Sequence, residues 1–199
     1  MTIICNFHGG AGIGKSTSAS YVFTKLKQEG VNAELVREYV KDWAWEDRKI
    51  GDFDQLYLLG KQMRKETILL GKVDVIVTDS PLYLAAFYAH KLAPKLIAEA
   101  TLVSVTKVIR HVQNLGHEYL NFFLERTKTY NPAGRYQTEA EARQYDAEIL
   151  DFVAPLLNNQ VKFCNTDSES LERVVQEILA LTQKLPRLTD GSWVSLPEK

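Results

Sequence analysis

Cysteine is scarce in this 199-residue sequence, which contains only two. Cys5 and Cys164 each lie inside an apolar run, and neither belongs to a C-x-x-C pair. That usage argues against a disulfide framework or a thiolate metal site and leaves two small core residues. Excess charge of either sign is also missing. Twenty-four Lys and Arg face 25 Asp and Glu, a net charge of -1. A global basic footprint, as on a nucleic-acid coat or a membrane-surface binder, is therefore absent, although a local basic patch is compatible with these numbers. No apolar stretch approaches the about 20 residues that a membrane helix requires. The opening Met1-Thr2-Ile3-Ile4-Cys5 lacks the charged region and long apolar run of a signal peptide. These absences lead us to expect a soluble, cytoplasmic protein without membrane partners. His8, His90, His111 and His117 show no metal-ligand spacing, and His8 reads as a packing or polar-turn residue.

What is present is ordinary in bulk, with 45% hydrophobic and 25% charged residues, in a chain long enough to bury a core without staples. No repeat, low-complexity tract or linker interrupts it, so residues 1–199 read as one domain. Short β-rich runs at 2–7, 33–37, 73–78, 119–124 and 160–164 alternate with helical patterns. The first is carried by Ala19, Val22, Phe23 and Leu26 before Gly30, and the next by Leu56, Leu59 and Met63 before Gly71. A third runs from Leu82 to about Asn114 with Pro94 interrupting it. A fourth starts at Ile149, and a last one carries Leu171, Val174, Val175 and Ile178. The tail after Pro186 carries no periodicity. Alternation of this kind means βαβ units, and the expected fold is a three-layer α/β/α sandwich around a mostly parallel sheet of about five strands.

One signal is specific. Gly9-Gly10-Ala11-Gly12-Ile13-Gly14-Lys15-Ser16, followed by Thr17, fits G-x-x-x-x-G-K-[ST] without gaps, after a predicted strand and at the start of a predicted helix. Glycines let backbone N–H groups turn inward around a phosphate, and the helix start adds partial positive charge. In this P-loop, Lys15 is expected to reach the β and γ oxygens of ATP, and the Ser16 hydroxyl to ligate Mg2+.

Two acids face the same crevice if the sheet is parallel, since ligands sit beyond the carboxyl ends of the strands. Asp79 ends the strand Val73–Thr78 and can hold magnesium or accept a proton; otherwise it is a plain turn aspartate. Glu38 follows the second strand, with Trp43 five residues on, a carboxylate base and an aromatic wall or else a helix-start acid and a core residue. On the next helix Gln62 offers a donor and an acceptor to a base edge and Arg64 a fork for phosphate, unless both lie on a solvated face. After the fourth strand, Arg126, Lys128 and Arg135 surround the turn Asn131-Pro132-Ala133-Gly134. This basic segment suits a lid over 126–145 that offsets developing charge and excludes water. Asn165-Thr166-Asp167, just after the last strand, is placed to border the adenine.

The order of these elements resembles the P-loop nucleoside and nucleotide kinases over most of the chain. Glu38 and Trp43 are similar to the E-x-x-x-x-W element of deoxynucleoside kinases, in which the Glu is the base and the Trp lines the nucleoside site. Gln62 and Arg64 fall where that family reads the base, and Asp79-Ser80-Pro81 resembles its acidic-Arg-Ser element. Tyr39 stands where that family has Pro, and Ser80 where it has Arg. The run from Arg126 to Glu139 also resembles small bacteriophage-encoded P-loop kinases, some similar to thymidylate kinases and some acting on hydroxymethyluracil in DNA; such an origin would imply the host cytoplasm. The resemblance implies transfer of the ATP γ-phosphoryl group to a nucleoside- or nucleotide-type acceptor, with either Glu38 or Asp79 as base. It leaves open DNA as the substrate, a homodimer as the assembly, and a slowly hydrolysing regulatory ATPase without an acceptor pocket as the alternative function.

Overall fold

A computed structural model of the protein describes residues 1–51, 53–127, 130–131 and 137–183. Among these described residues the strands are β1 (Ile3–His8), β2 (Ala33–Val36), β3 (Val75–Thr78), β4 (Glu118–Leu124) and β5 (Lys162–Cys164). All pairings are parallel, in the order β2-β3-β1-β4-β5. The helices are α1 (Lys15–Gln28), α2 (Lys41–Trp45), α3 (Asp54–Thr67), α4 (Leu82–Leu92), α5 (Lys95–Asn114), α6 (Glu139–Leu156) and α7 (Ser168–Thr182). The expected α/β sandwich is thus present, with an all-parallel sheet.

Alternation along β1 divides the core. Ile3, Cys5 and Phe7 point into one layer, packed with Ala19, Val22 and Leu26 of α1 and Leu171, Val174 and Ile178 of α7. The opposite layer holds Leu59 of α3, Leu82 to Phe87 of α4, Val105 and Ile109 of α5, and Ile149 and Val153 of α6. Chain order explains the division. β1 leads through α1 towards β2, whereas β3 leads through α4 and α5 past β1 to β4. The sheet's switch point therefore falls between β1 and β3, and their carboxyl ends open the crevice. Cys5 and Cys164 are free, buried thiols, as the sequence suggested; burial pushes Cys164 up to about 11.

Pro94 splits the long helical pattern into α4 and α5, as its place in the sequence implied, because proline cannot continue the hydrogen-bond ladder. Three differences from the sequence reading have local causes. The short helix α2 is too brief to show a period. α6 begins ten residues before Ile149, at a capping box in which Thr138 accepts from Glu141 N–H and the Glu141 carboxylate accepts from Thr138 N–H. The last seven residues assigned to the lid, 139–145, are therefore the first turns of α6. Lys128 and Arg135 lie outside the described residues.

The second layer also buries polar groups. Asn6, Thr78 and Asn121 occupy one level of the sheet. Asn6 Nδ2 donates to Asn121 Oδ1 at 2.9 Å, and His8 Nε2 lies 3.0 Å from the same oxygen. Burial, with the Lys15 charge opposing protonation, lowers His8 to about 4, so it is neutral at pH 7. Behind them Glu66 on α3 is only 3% exposed. Burial pushes its carboxyl from the ordinary 4.5 up to about 8, with a hydrogen bond to Gln62 acting the other way. The unfolded chain ionises this group above pH 4.5 and the folded chain holds the proton up to about 8, so stability falls as pH rises across that window. Glu66→Gln is therefore expected to stabilise the fold more at pH 8 than at pH 5, by on the order of a few kcal/mol, and so to raise the melting temperature more at the higher pH. Equal shifts at the two pH values in thermal melts would refute a neutral Glu66.

Candidate active site

Gly14, in the left-handed region at φ 114°, is the N-cap of α1, and no side chain caps this helix. α6 and α7 are both capped by side chains, Thr138 and Asp167. The start of α1 thus presents its first backbone N–H groups to the loop Gly9–Gly14, the arrangement that receives an anion. Lys15 Nζ donates to the carbonyls of Gly9 at 2.7 Å and Gly10 at 2.9 Å, which sets the ammonium against the loop.

The parallel register places β2 and β3 ends side by side, Val36 opposite Thr78. Just beyond them the Glu38 N–H donates to Asp79 Oδ1 at 2.8 Å. The two acids singled out from separate parts of the sequence are therefore joined. Asp79 is 3% exposed and braces the Glu38 backbone from behind.

A cavity of about 510 Å³ opens from this point. Ala11 and Lys15 of the loop, Glu38, and Ser80 line one end. Gln55, Leu58 and Gln62 of α3 line a wall, as do Leu84, Ala85, Tyr88 and Leu92 of α4; Gln55–Leu58–Gln62 and Leu84–Tyr88–Leu92 each recur at three- or four-residue spacing on one helix face. Tyr39, Lys41 and Lys49 come from the segment around α2, and Glu141 and Tyr145 from α6. Gln62 is held by Nε2 donating to Thr78 Oγ1 at 3.5 Å. Burial, then the neighbouring Glu38 carboxylate, pushes the Tyr88 hydroxyl upward, so it remains a hydrogen-bond donor at neutral pH.

The structure thus brings Lys15, Glu38 and Gln62 to one cavity, but not Trp43 or Arg64. Arg64 is exposed; two residues from Gln62, it projects from another side of α3. Trp43 stacks on Tyr57 at 5.8 Å between ring centroids, and the Arg48 guanidinium lies 3.4 Å over its ring. Its work is to join α2 to α3 and to back Tyr39, at 6.5 Å. The aromatic wall is instead built by Tyr39, Tyr88 and Tyr145. Asp167 caps α7 by accepting from Ser170 N–H at 2.8 Å, while its neighbour Thr166 is the group that approaches the loop: a Cβ on Gly14 would lie 3.0 Å from Thr166 Cγ2. The Arg126 side chain is enclosed against the loop, its Nη2 donating to Ala11 O at 2.8 Å.

A family profile described as an AAA domain matches residues 4–172. The chain belongs to the AAA domain family. Comparison of this AAA domain chain with curated protein sequences finds no match. Solved structures do match in fold. NadR protein in complex with NR superposes with a TM-score of 0.67 at 16% identity, over 94% of this chain and 54% of that one. NadR in complex with NAD and AMP-PNP gives 0.65 at 16% identity, over 94% and 52%. Thymidylate kinase from Ehrlichia chaffeensis gives 0.54 at 14% identity, over 92% and 98%. The chain spans about half the length of the NadR chains and nearly all of the thymidylate kinase. Its fold is that of the P-loop kinase-like proteins. Among the described residues no helix is long and apolar enough to cross a membrane, and no three His, Cys, Asp or Glu cluster as a metal site.

Proposed function

We propose that this chain is a kinase that transfers the γ-phosphoryl group of ATP to a hydroxyl of a nucleoside-type acceptor. The observation that carries the reading is a single one: the P-loop lysine and the Glu38 carboxylate line the same cavity, whose size suits a nucleoside. A regulatory ATPase has no use for an acceptor pocket of about 510 Å³ next to its phosphate loop. The NadR structures, one with NR and one with NAD and AMP-PNP, support a nucleoside-type ligand and an ATP analogue on this fold.

In this reading the loop amides and Lys15 hold the phosphates. Glu38 takes the acceptor proton as the new P–O bond forms and the bond from γ-phosphorus to the β-phosphate oxygen breaks, releasing ADP. Tyr39, Tyr88 and Tyr145 pack against a flat base, and Gln62 presents its amide to the base edge. The oxygen donors Ser16 and Asp79, beside a loop that carries phosphate, fit Mg2+, which shares its coordination with phosphate and water; bound there, it would neutralise charge on the phosphates.

A second reading, with the acceptor base carried on DNA, is favoured by one feature of the cavity mouth. Lys61 lies 5.9 Å and 5.3 Å over the rings of Tyr39 and Tyr57, and Lys65 lies 5.3 Å over Tyr39, a cationic aromatic shelf of the kind that single strands use. Labelled-ATP transfer to nucleosides, nucleotides and hydroxymethyluracil-containing DNA separates the cases. Label is expected on a free nucleoside or nucleotide. Label on DNA alone selects the second reading, and ATP hydrolysis without transfer to any of them overturns both.

A further inference from the structure

We propose that Asp146, on α6, is a positioning residue that sets Arg126 and the P-loop in register for phosphate binding and transfer; this rests on the kinase reading above. Its carboxylate accepts three hydrogen bonds from two separate parts of the chain. Arg126 Nε donates to Oδ2 at 2.6 Å and Nη2 to Oδ1 at 3.0 Å. Gly10 N–H donates to Oδ1 at 2.8 Å. The ion pair is enclosed, with side-chain exposures of 6% for Arg126 and 16% for Asp146. Nη2 also reaches Ala11 O. One carboxylate therefore holds a guanidinium by its Nε–Nη2 edge and the phosphate loop by a backbone amide.

The remaining nitrogen is the informative one. Arg126 Nη1 is buried and has no hydrogen-bond partner among the described residues. A buried, charged N–H left unpaired is costly and calls for a reason. A Cβ built on Gly12 would lie 3.5 Å from Nη1, so this nitrogen sits beside the loop that receives phosphate, where an anionic oxygen would complete it. Asp146 thus engages the Nε–Nη2 edge of the fork and leaves Nη1 for the ligand.

Gly10 shows how close the elements come. A Cβ there would lie 2.6 Å from Asp146 Oδ1 and 2.7 Å from the Ala142 carbonyl of α6. Only glycine admits this approach, and it lets a helix far along the chain fix the geometry of the loop. A purely structural ion pair would account for the contact with Arg126, but not for the shared loop amide or for the unpaired Nη1.

The test is a double-mutant cycle on the full chain. Asp146→Asn keeps the shape and an acceptor for Gly10 N–H but removes the charge that holds Arg126. Turnover is expected to fall about 10–100-fold, as for loss of a group that orients a ligand-binding residue. AMP-PNP affinity, measured by calorimetry, is expected to weaken about tenfold, while acceptor KM stays within about twofold. Placed on Arg126→Gln, the same change should add less than about twofold. AMP-PNP affinity and turnover both within about twofold of the parent overturn the proposal, as does a full multiplicative effect on top of Arg126→Gln. Should Asp146→Asn alone fail to fold, the double variant, which buries no charge there, carries the comparison. It should match Arg126→Gln, and a further loss of about tenfold or more would refute the assignment. If the parent binds AMP-PNP yet labels no acceptor, the kinase reading falls by itself, and the AMP-PNP arm alone decides the role of Asp146.

Discussion

Lys15→Ala is expected to lower phosphoryl transfer by at least about 10²–10³-fold while the chain stays folded. The loop amides and the uncapped start of α1 carry only partial charges, whereas Lys15 brings a whole one. In the folded protein its ammonium is already set on the carbonyls of Gly9 and Gly10, at the end of the cavity that also holds Glu38. Those bonds keep the side chain from wandering and keep the loop closed on itself. Losing them costs on the order of 1–3 kcal/mol, which for a domain of this size lowers the melting temperature by several degrees, at about 2–4 °C per kcal/mol. The loss of activity and the loss of stability are therefore separable. Labelled-ATP transfer at saturating ATP and magnesium gives the first, and a circular-dichroism melt the second. A folded Lys15→Ala protein keeping more than about a tenth of the parent turnover would show that the loop does not hold the transferring phosphate.

The parts of this site that could be read from the sequence are those written locally. The phosphate loop is one continuous stretch whose residue types follow from backbone conformation. Glu38 and Asp79 could be found because each lies just past the end of a strand, and parallel strands place their ends together. The order β2-β3-β1-β4-β5 was not legible, since nothing within a strand says which neighbour it takes. The cavity wall was misread for a different reason. Trp43 attracts attention because it is rare, while Tyr88 and Tyr145 sit in helical stripes that look the same whether they face a core or a cavity. Spacing could have recovered part of the wall: Gln55 lies two turns before Gln62, on the same side of α3, and Arg64 does not. Asp146 was hidden at the end of the polar stretch Glu139-Ala140-Glu141-Ala142-Arg143-Gln144-Tyr145-Asp146, whose few apolar positions also concealed the start of α6. The signal that could have revealed this helix was its capping box at Thr138 and Glu141.

The division of labour between the two acids yields the second large effect. Glu38 lines the cavity beside Lys15; in the proposed kinase its carboxylate is on the side from which an acceptor hydroxyl would approach the γ-phosphate. A base must lie within hydrogen-bond reach of the proton it removes, and that requirement precedes any argument from acidity. Glu38→Gln preserves shape and removes the carboxylate, and it should lower transfer by roughly 10²–10⁴-fold with little change in AMP-PNP affinity. Asp79 is separated from this duty by its geometry. Its Oδ1 accepts the Glu38 N–H at 2.8 Å, a bond that the amide oxygen of Asp79→Asn can still accept. That variant therefore removes charge while leaving Glu38 in place. If Asp79 serves magnesium, Asp79→Asn should raise the magnesium concentration needed for half-maximal rate and regain most of its turnover when magnesium is saturating. Asp79→Ala removes the brace as well, so it should stay slow at any magnesium concentration because the Glu38 backbone is no longer held. A nearly silent Glu38→Gln, together with an Asp79→Asn that is inactive even at saturating magnesium, would reverse the two roles: Asp79 would then be the base, and Glu38 one more polar group on the cavity wall.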